Sequence, residues 1–413
     1  MSAAALVPYR EAVELILAAG APPAPVTVPL ADAVGRVTAR AVVSAETSPN
    51  ADLAAMDGYA VRTHDLRGAT VAVPRRLTVA GSVAAGDPRP QRSAAGAGVL
   101  RIATGALLPA GYDAVLPVED AVEANGTIEV TAPPAAGANV RRRGEDHRPG
   151  DVVLETGRRI EPPHLLLLAN LGCARVAVAR RPRVAVLATG SELVEDLTTD
   201  LQPGQVRNSN ARYLVGALQA AGCRPALLRA AGDHPAVIGD RLRHALAAAR
   251  PAADVIVTIG GVSRGTADHV PAALAGLGAE VLFHGVAMRP GKPVLAARLP
   301  ERGVVLFGLP GNPLAVLATF RALVAPFLRV QQGQRALDPV AARLVAAVTG
   351  RPGLTRFVLG YRTAPAGGVE QVTPVARQRA SEVAALRRAD RWLVVPPETA
   401  AVPAGAMVAT LPL

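Results

Sequence analysis

The sequence predicts a multidomain α/β protein whose centre is a parallel sheet layered between helices. Three observations carry this. The chain has 413 residues, enough for about two to four domains. From Pro182 onward, continuous apolar runs alternate with helical patterns, which is how strands buried on both faces read. On either side of that region the apolar runs are short and cut by Gly and Pro, the spacing of small sheets or barrels.

Residues 10–19 place apolar side chains at helical spacing and predict an amphipathic helix. Between about residue 26 and 160, Val71–Val73, Leu77–Gly81 and Thr127–Val130 exemplify the β-like runs. A second helix is expected after Pro162 and Pro163, through Leu165–Leu171. Arg183–Thr189 is a buried-strand run ending in Gly190-Ser191-Glu192. Ser209–Ala221 predicts a helix capped by Asn208 or Ser209. Ala226–Leu228 predicts a strand, His234–Ala249 a helix, Asp254–Ile259 a strand and Thr266–Leu277 a helix. The strands Val281–Phe283 and Val304–Phe307 and the helix Pro313–Val330 complete the region. Ligands of such sheets bind beyond the carboxyl ends of the strands. Residues 331–340 are polar and read as a linker, and the remainder predicts a small terminal β-domain. No sequence repeat is visible.

The formal charge is 44 − 33 = +11, yet aromatics make up only 3% of the chain. Aromatic platforms for stacking single-stranded bases are therefore scarce, and the basic residues are spread out apart from Arg141-Arg142-Arg143. Small anionic ligands suit this charge, and nucleic acid is not an expected partner. Cys173 and Cys223 lie in apolar surroundings without metal-type spacing and read as reduced core thiols of a cytoplasmic protein. Glu11 and Glu14 interrupt the first apolar stretch, so it does not read as a signal peptide. The longest apolar run, around Leu165–Leu168, is too short to span a bilayer, and no membrane is expected.

Lys292 is the one lysine among 44 basic residues. It lies in Met288-Arg289-Pro290-Gly291-Lys292-Pro293, where a compact ammonium and exposed backbone N–H groups can together hold a small oxyanion. Gly260-Gly261-Val262-Ser263-Arg264-Gly265 follows a strand and precedes a helix, a second anion cradle, with Asp268 one turn further on. Asp268 equally suits the helix N-terminus electrostatically. Gly308-Leu309-Pro310-Gly311-Asn312-Pro313 is another strand-to-helix junction, rigid through Pro310 and Pro313. Glu192 and Asp233 end segments just past strands of the sheet, and with Asp268 they are expected to line one rim. Carboxylates there suit Mg²⁺ bound together with substrate phosphates. No His/Cys cluster points to zinc, and no activated Ser-His pair is visible.

The set resembles a known family. Ala55–Arg62 (Ala-Met-Asp-Gly-Tyr-Ala-Val-Arg), Arg101–Ala106 (Arg-Ile-Ala-Thr-Gly-Ala) and Asn139–Asp146 (Asn-Val-Arg-Arg-Arg-Gly-Glu-Asp) are similar to hallmarks of the molybdopterin molybdenumtransferases. Gly260–Gly265, Arg289–Pro293 and Leu309–Pro313 match further ones, in order along nearly the whole chain. Arg356 and Ser381 match more faintly. The resemblance implies a homodimer of four domains. These are an elongated dimerisation domain (residues 1–48 with 141–176), a β-rich insertion (49–140), a three-layer parallel α/β domain (177–331) and a C-terminal β-barrel (338–413). It also implies the reaction: molybdate enters adenylylated molybdopterin and AMP leaves, with Mg²⁺.

Asp57, Thr104, Arg141 and Asp146 then correspond to functional positions of the first half. Glu192, Asp233, Ser263 and Asp268 correspond to positions near the adenylate and its metal, beside Gly260, Gly261, Pro310 and Pro313 of the cradles. Arg289, Lys292, Pro293, Arg356 and Ser381 correspond to the region that holds molybdate. Asp57, Thr104, Asp146, Glu192, Asp233, Asp268 and Lys292 are the expected catalytic positions. Three positions depart from the family pattern: Ala54 and Ala315 stand where serine is usual, and Arg289 where lysine is common.

Two other readings compete. A molybdopterin adenylyltransferase would consist of the α/β domain alone, and a non-catalytic carrier or scaffold would fit the two missing hydroxyls. Beyond the small anions and a second copy of the chain, a molybdopterin adenylyltransferase and molybdoenzymes are the expected partners. The active cleft is expected to draw on both subunits of the dimer.

Overall fold

The computed structural model describes residues 5–20, 22–87, 98–232, 234–247, 253–263, 269–366 and 368–413. The chain forms two compact units, Met1–Arg40 with Thr156–Pro162 and Arg175–Leu413, and Ala41–Glu155 with Pro163–Ala174.

The first unit holds a six-stranded sheet. Its order is Arg224–Leu227, Arg183–Ala188, Val255–Ile259, Val304–Leu309, Leu295–Leu299 and Glu280–His284. The first four strands are parallel, as expected. Leu295–Leu299, a strand that the sequence reading passed over, runs antiparallel to both its neighbours, so the expected strand at Val281–Phe283 reaches the sheet through an antiparallel pairing. The short turn Pro300–Arg302 joins Leu295–Leu299 to Val304–Leu309, and a short return makes an antiparallel partner.

The continuous apolar strands have a simple cause. Val184, Val186, Val255, Val257, Val305 and Phe307 enter one core; Ala185, Leu187, Ile256 and Leu306 enter the other. Successive side chains of a strand point to opposite faces, so burial on both faces demands apolar residues throughout. Tyr9–Ala18, Ser209–Ala220 and Pro313–Gln331 contribute to the first core. Pro235–Ala247 and Val270–Ala275 contribute to the second. Asn208 caps Ser209–Ala220, its side-chain oxygen accepting from the N–H of Ala211 at 3.3 Å. Pro313–Gln331 is long and apolar enough to cross a bilayer, but it is mostly buried and serves as a core helix.

Five strands close a barrel in the same unit: Thr355–Ala366, Val369–Pro374, Val340–Leu344, Met407–Pro412 and Arg391–Val395, which returns to the first. Met288–Arg289 adds to its edge in parallel, with Arg289 opposite Arg356. The stretch read as a linker is only partly one. Gln331 and Gln332 are buried, and the Gln332 amide donates to the carbonyls of Ala221 and Leu328.

The second unit carries a mixed sheet in the order Ala114–Pro117, Gly58–Val61, Val99–Ile102, Arg75–Val83, Thr127–Val130, Val122–Ala124. Leu77–Gly81 and Thr127–Val130 are thus strands. Val71–Val73 is not: Val71 is 86% exposed, and the backbones of Thr70 and Val73 exchange hydrogen bonds in a turn. Three apolar-type residues alternate there by composition but have no face to cover. Cys223 is buried as expected, whereas Cys173 is only half-buried.

Candidate functional site

Three loops meet at the carboxyl ends of the parallel strands. Gly260 has φ +84°, and a Cβ there would stand 2.9 Å from both the carbonyl oxygen and the hydroxyl of Thr189. Only glycine permits this approach, which packs the loop after Val255–Ile259 against the loop after Arg183–Ala188. The third loop follows Val304–Leu309. A Cβ on its Gly311 would lie 3.8 Å from the Gly260 Cα, and the Asn210 amide donates to the Gly311 carbonyl at 2.7 Å. Glu192 is exposed on this rim, its carboxylate lying against Gly190. Pro310 is buried, Pro313 opens its helix, and Ser263 is exposed. Asp233 and Asp268, like Arg264 and Gly265, lie outside the described residues. Of the three carboxylates expected to hold Mg²⁺, the structure therefore places Glu192, an exposed hard-oxygen donor fit for that ion. Among the described residues no three His, Cys, Asp or Glu side chains converge.

A second feature is a cleft of about 220 Å³ between the barrel and the start of Pro313–Gln331. Arg289, Arg356 and Arg379 line it, with Pro290, Leu314 and Gln378, and among the described residues no carboxylate does. The register of Met288–Arg289 on Thr355–Arg356 sets Arg289 beside Arg356, whose Nη1 donates to the carbonyl and the hydroxyl of Thr349. Burial lowers the Arg356 pKa, and the charges of Arg289 and Arg351 lower it further. Glu382 accepts from the Arg379 N–H at 3.3 Å in the adjoining recess. Within the cleft itself, among the described residues, three cations meet with no carboxylate, which suits an anion. Trp392 and Phe357 brace the wall edge to face at 6.4 Å. The Gln378 amide is locked on the backbone of Leu359 and Val375. The Leu314 N–H donates to the Ala380 carbonyl at 2.9 Å, fastening the 377–382 loop to the helix start. Ser381 is exposed on that loop, in an adjoining open recess.

Lys292 does not line this cleft. Its side chain is exposed, and its carbonyl accepts from Val286. Pro293, beside it, is half-buried. Arg379 and Gln378 were missed in the sequence, although the run Arg377-Gln378-Arg379 just before Ser381 was a usable signal. Ala315 is buried in the first turn of its helix.

In the second unit, Asp57 accepts from the backbone N–H of Thr104 at 2.6 Å and from its hydroxyl at 2.8 Å. These bonds, the backbone one foremost, hold its pKa below the usual carboxylate range. Arg141 pairs with Asp146 at 2.5 Å, on the short ladder that joins Val140–Arg141 to Leu53–Ala54. Asp52 gathers the loop by accepting from the Arg143 N–H and the Arg142 guanidinium. Asp57 also borders a recess of about 490 Å³ with Tyr59 and Arg101, both of which donate to Glu123.

Known proteins resemble this chain throughout. Residues 7–172 match the MoeA N-terminal region (domain I and II), 185–330 the probable molybdopterin binding domain, and 341–413 the MoeA C-terminal region (domain IV). The molybdopterin molybdenumtransferase of Synechococcus elongatus is 34% identical over 393 residues, 94% of this chain and 95% of that one. That of Haemophilus influenzae is 40% identical over 311 residues, 74% of this chain and 72% of its own. The crystal structure of the molybdopterin biosynthesis moeA protein from Pyrococcus horikoshii OT3 superposes with a TM-score of 0.83 at 28% identity. It covers 98% of this chain and 100% of that one. Fold and matches together define a multidomain enzyme of molybdenum cofactor biosynthesis. The chain belongs to the molybdopterin molybdenumtransferase family.

Proposed function

We propose that this transferase inserts molybdate into adenylylated molybdopterin and releases AMP, with molybdate held in the cleft of Arg289, Arg356 and Arg379. The observation that carries the reading is this cleft, walled by three arginines and, among the described residues, by no carboxylate. Molybdate is a small dianion, and preorganised donors in a partly dry site act on it strongly. Ser381 serves at its margin, Pro293 fixes the loop, and Lys292, outside the cleft, keeps a proposed catalytic role. Glu192, with Asp233 and Asp268, would hold Mg²⁺, which would supply Lewis acidity at the adenylate phosphates.

The glycine cradle of Gly260 and Gly261 and the Pro310–Pro313 turn lie where strand ends receive anionic groups, so the adenylylated pterin is assigned there, with Ser263. The pair Asp57–Thr104 and the pair Arg141–Asp146 are assigned functional roles as well. An oxygen nucleophile, from water or molybdate, displaces AMP by breaking a phosphoanhydride P–O bond. The pterin's own dithiolene sulfurs then bond to molybdenum, their protons leaving with a molybdate oxygen as water. Burial pushes the Cys223 thiol up to about 12, so it stays protonated and is no metal ligand. The working protein is a cytoplasmic homodimer that exchanges cofactor intermediates with a molybdopterin adenylyltransferase and with molybdoenzymes.

The test supplies adenylylated molybdopterin, molybdate and Mg²⁺ and measures AMP release together with molybdenum retained on the pterin. Absence of both from the wild-type protein refutes the reading.

A further inference from the structure

The unit that contains the α/β sheet holds another cavity, of about 370 Å³, between Tyr9–Ala18 and Ala325–Gln331. Its volume falls in the range of small-molecule sites. Val13, Ala325, Leu337 and Leu411 make its walls largely apolar. Three cations, Arg10, Arg321 and Arg329, line it against one carboxylate, Glu14.

Arg321 is the unusual member. Its Nε and Nη2 are sealed from solvent without a hydrogen-bond partner, and no ion pair answers its charge among the described residues. That leaves Nη1 as the nitrogen through which an anion in the cavity would approach. A half-buried guanidinium remains protonated, so its charge has lost water and gained nothing in return. Nearby, the phenols of Tyr9 and Tyr213 are pushed up to about 12, burial outweighing the pull of Arg321, so they stay neutral and supply no counter-charge. The residue also sits in a π-helical turn, Phe320–Val324, that interrupts an otherwise α-helical run. Such turns re-aim side chains and recur at functional sites.

We propose that this cavity binds a small organic monocarboxylate bearing an apolar ring or chain, its carboxylate on Arg321 and its body against the apolar walls. The site is separate from the arginine cleft: the two share no lining residue.

Benzoate is the probe, titrated by calorimetry against the full chain. Benzyl alcohol tests the need for charge and acetate the need for an apolar body. Benzoate should bind about tenfold or more tightly than either, and Arg321→Met should weaken it by a similar factor, as for the loss of a charge-assisted bond. Arg356→Ala should leave it unchanged. Val13→Trp, which fills the cavity and leaves Arg321 in place, should abolish binding; this variant decides the matter if Arg321→Met does not fold. No saturable benzoate binding, equal binding of benzyl alcohol, or undiminished binding in Val13→Trp overturns the proposal. So does loss of binding in Arg356→Ala, which would locate the anion in the other cleft.

Discussion

Burial, Arg289 and Arg351 all disfavour the charge of Arg356, so a bound dianion would relieve an existing electrostatic cost. Arg356→Ala should therefore raise the KM for molybdate about tenfold or more while barely changing the melting temperature. Arg356→Lys should recover part of the loss, because a point charge replaces only part of a planar fork. Steady-state AMP release at varied molybdate measures both. Asp254 plays a structural part. Burial opposes its ionisation, but Arg180 and Arg183 overcome that and hold its carboxyl at about 2. A carboxylate whose folded pKa is depressed adds stability above its unfolded pKa, near 4, and loses it as pH falls through the folded value. Denaturation between pH 5 and about 2 should show that decline, and Asp254→Asn should remove it and cost about 1–2 kcal/mol at neutral pH after allowance for solvent screening.

At the scale of elements, the loop after Met288–Arg289 depends on one glycine. Gly291 has φ +109°, and a Cβ there would lie 2.4 Å from the Thr319 methyl. Gly291→Ala should destabilise the protein by about 2–3 kcal/mol, combining backbone strain with overpacking. It should also raise the KM for molybdate by displacing Arg289; chemical denaturation and kinetics check the two effects separately. Elements differ in how well they could be read. Arg183–Ala188 and Val255–Ile259 were plain in the sequence because both faces are buried. Leu295–Leu299 was hidden by its place just after the Arg289–Pro293 motif, and its antiparallel direction follows from a short return. Val71–Val73 looks like a strand but lies exposed, since β-branched composition alone does not create a pairing partner.

At the scale of the whole molecule, the proposed homodimer should give twice the 42.2 kDa chain mass by light scattering at assay concentration. A monomer there would remove the dimer from the functional account. The excess of 11 positive charges should make molybdate capture weaken as salt rises, measured as KM against ionic strength. The sequence by itself determined the α/β centre, the flanking β-rich regions and the glycine-proline loops at strand ends, because each depends on local periodicity and backbone chemistry. It also showed the family, through motifs spread along the chain. Only the tertiary structure decided that Arg379 joins Arg289 and Arg356, that Lys292 stands outside their cleft, and that Arg321 carries an unanswered charge. Those facts depend on strand register and on the packing of segments far apart in the chain, and no local pattern records which distant side chains will share one low-dielectric space.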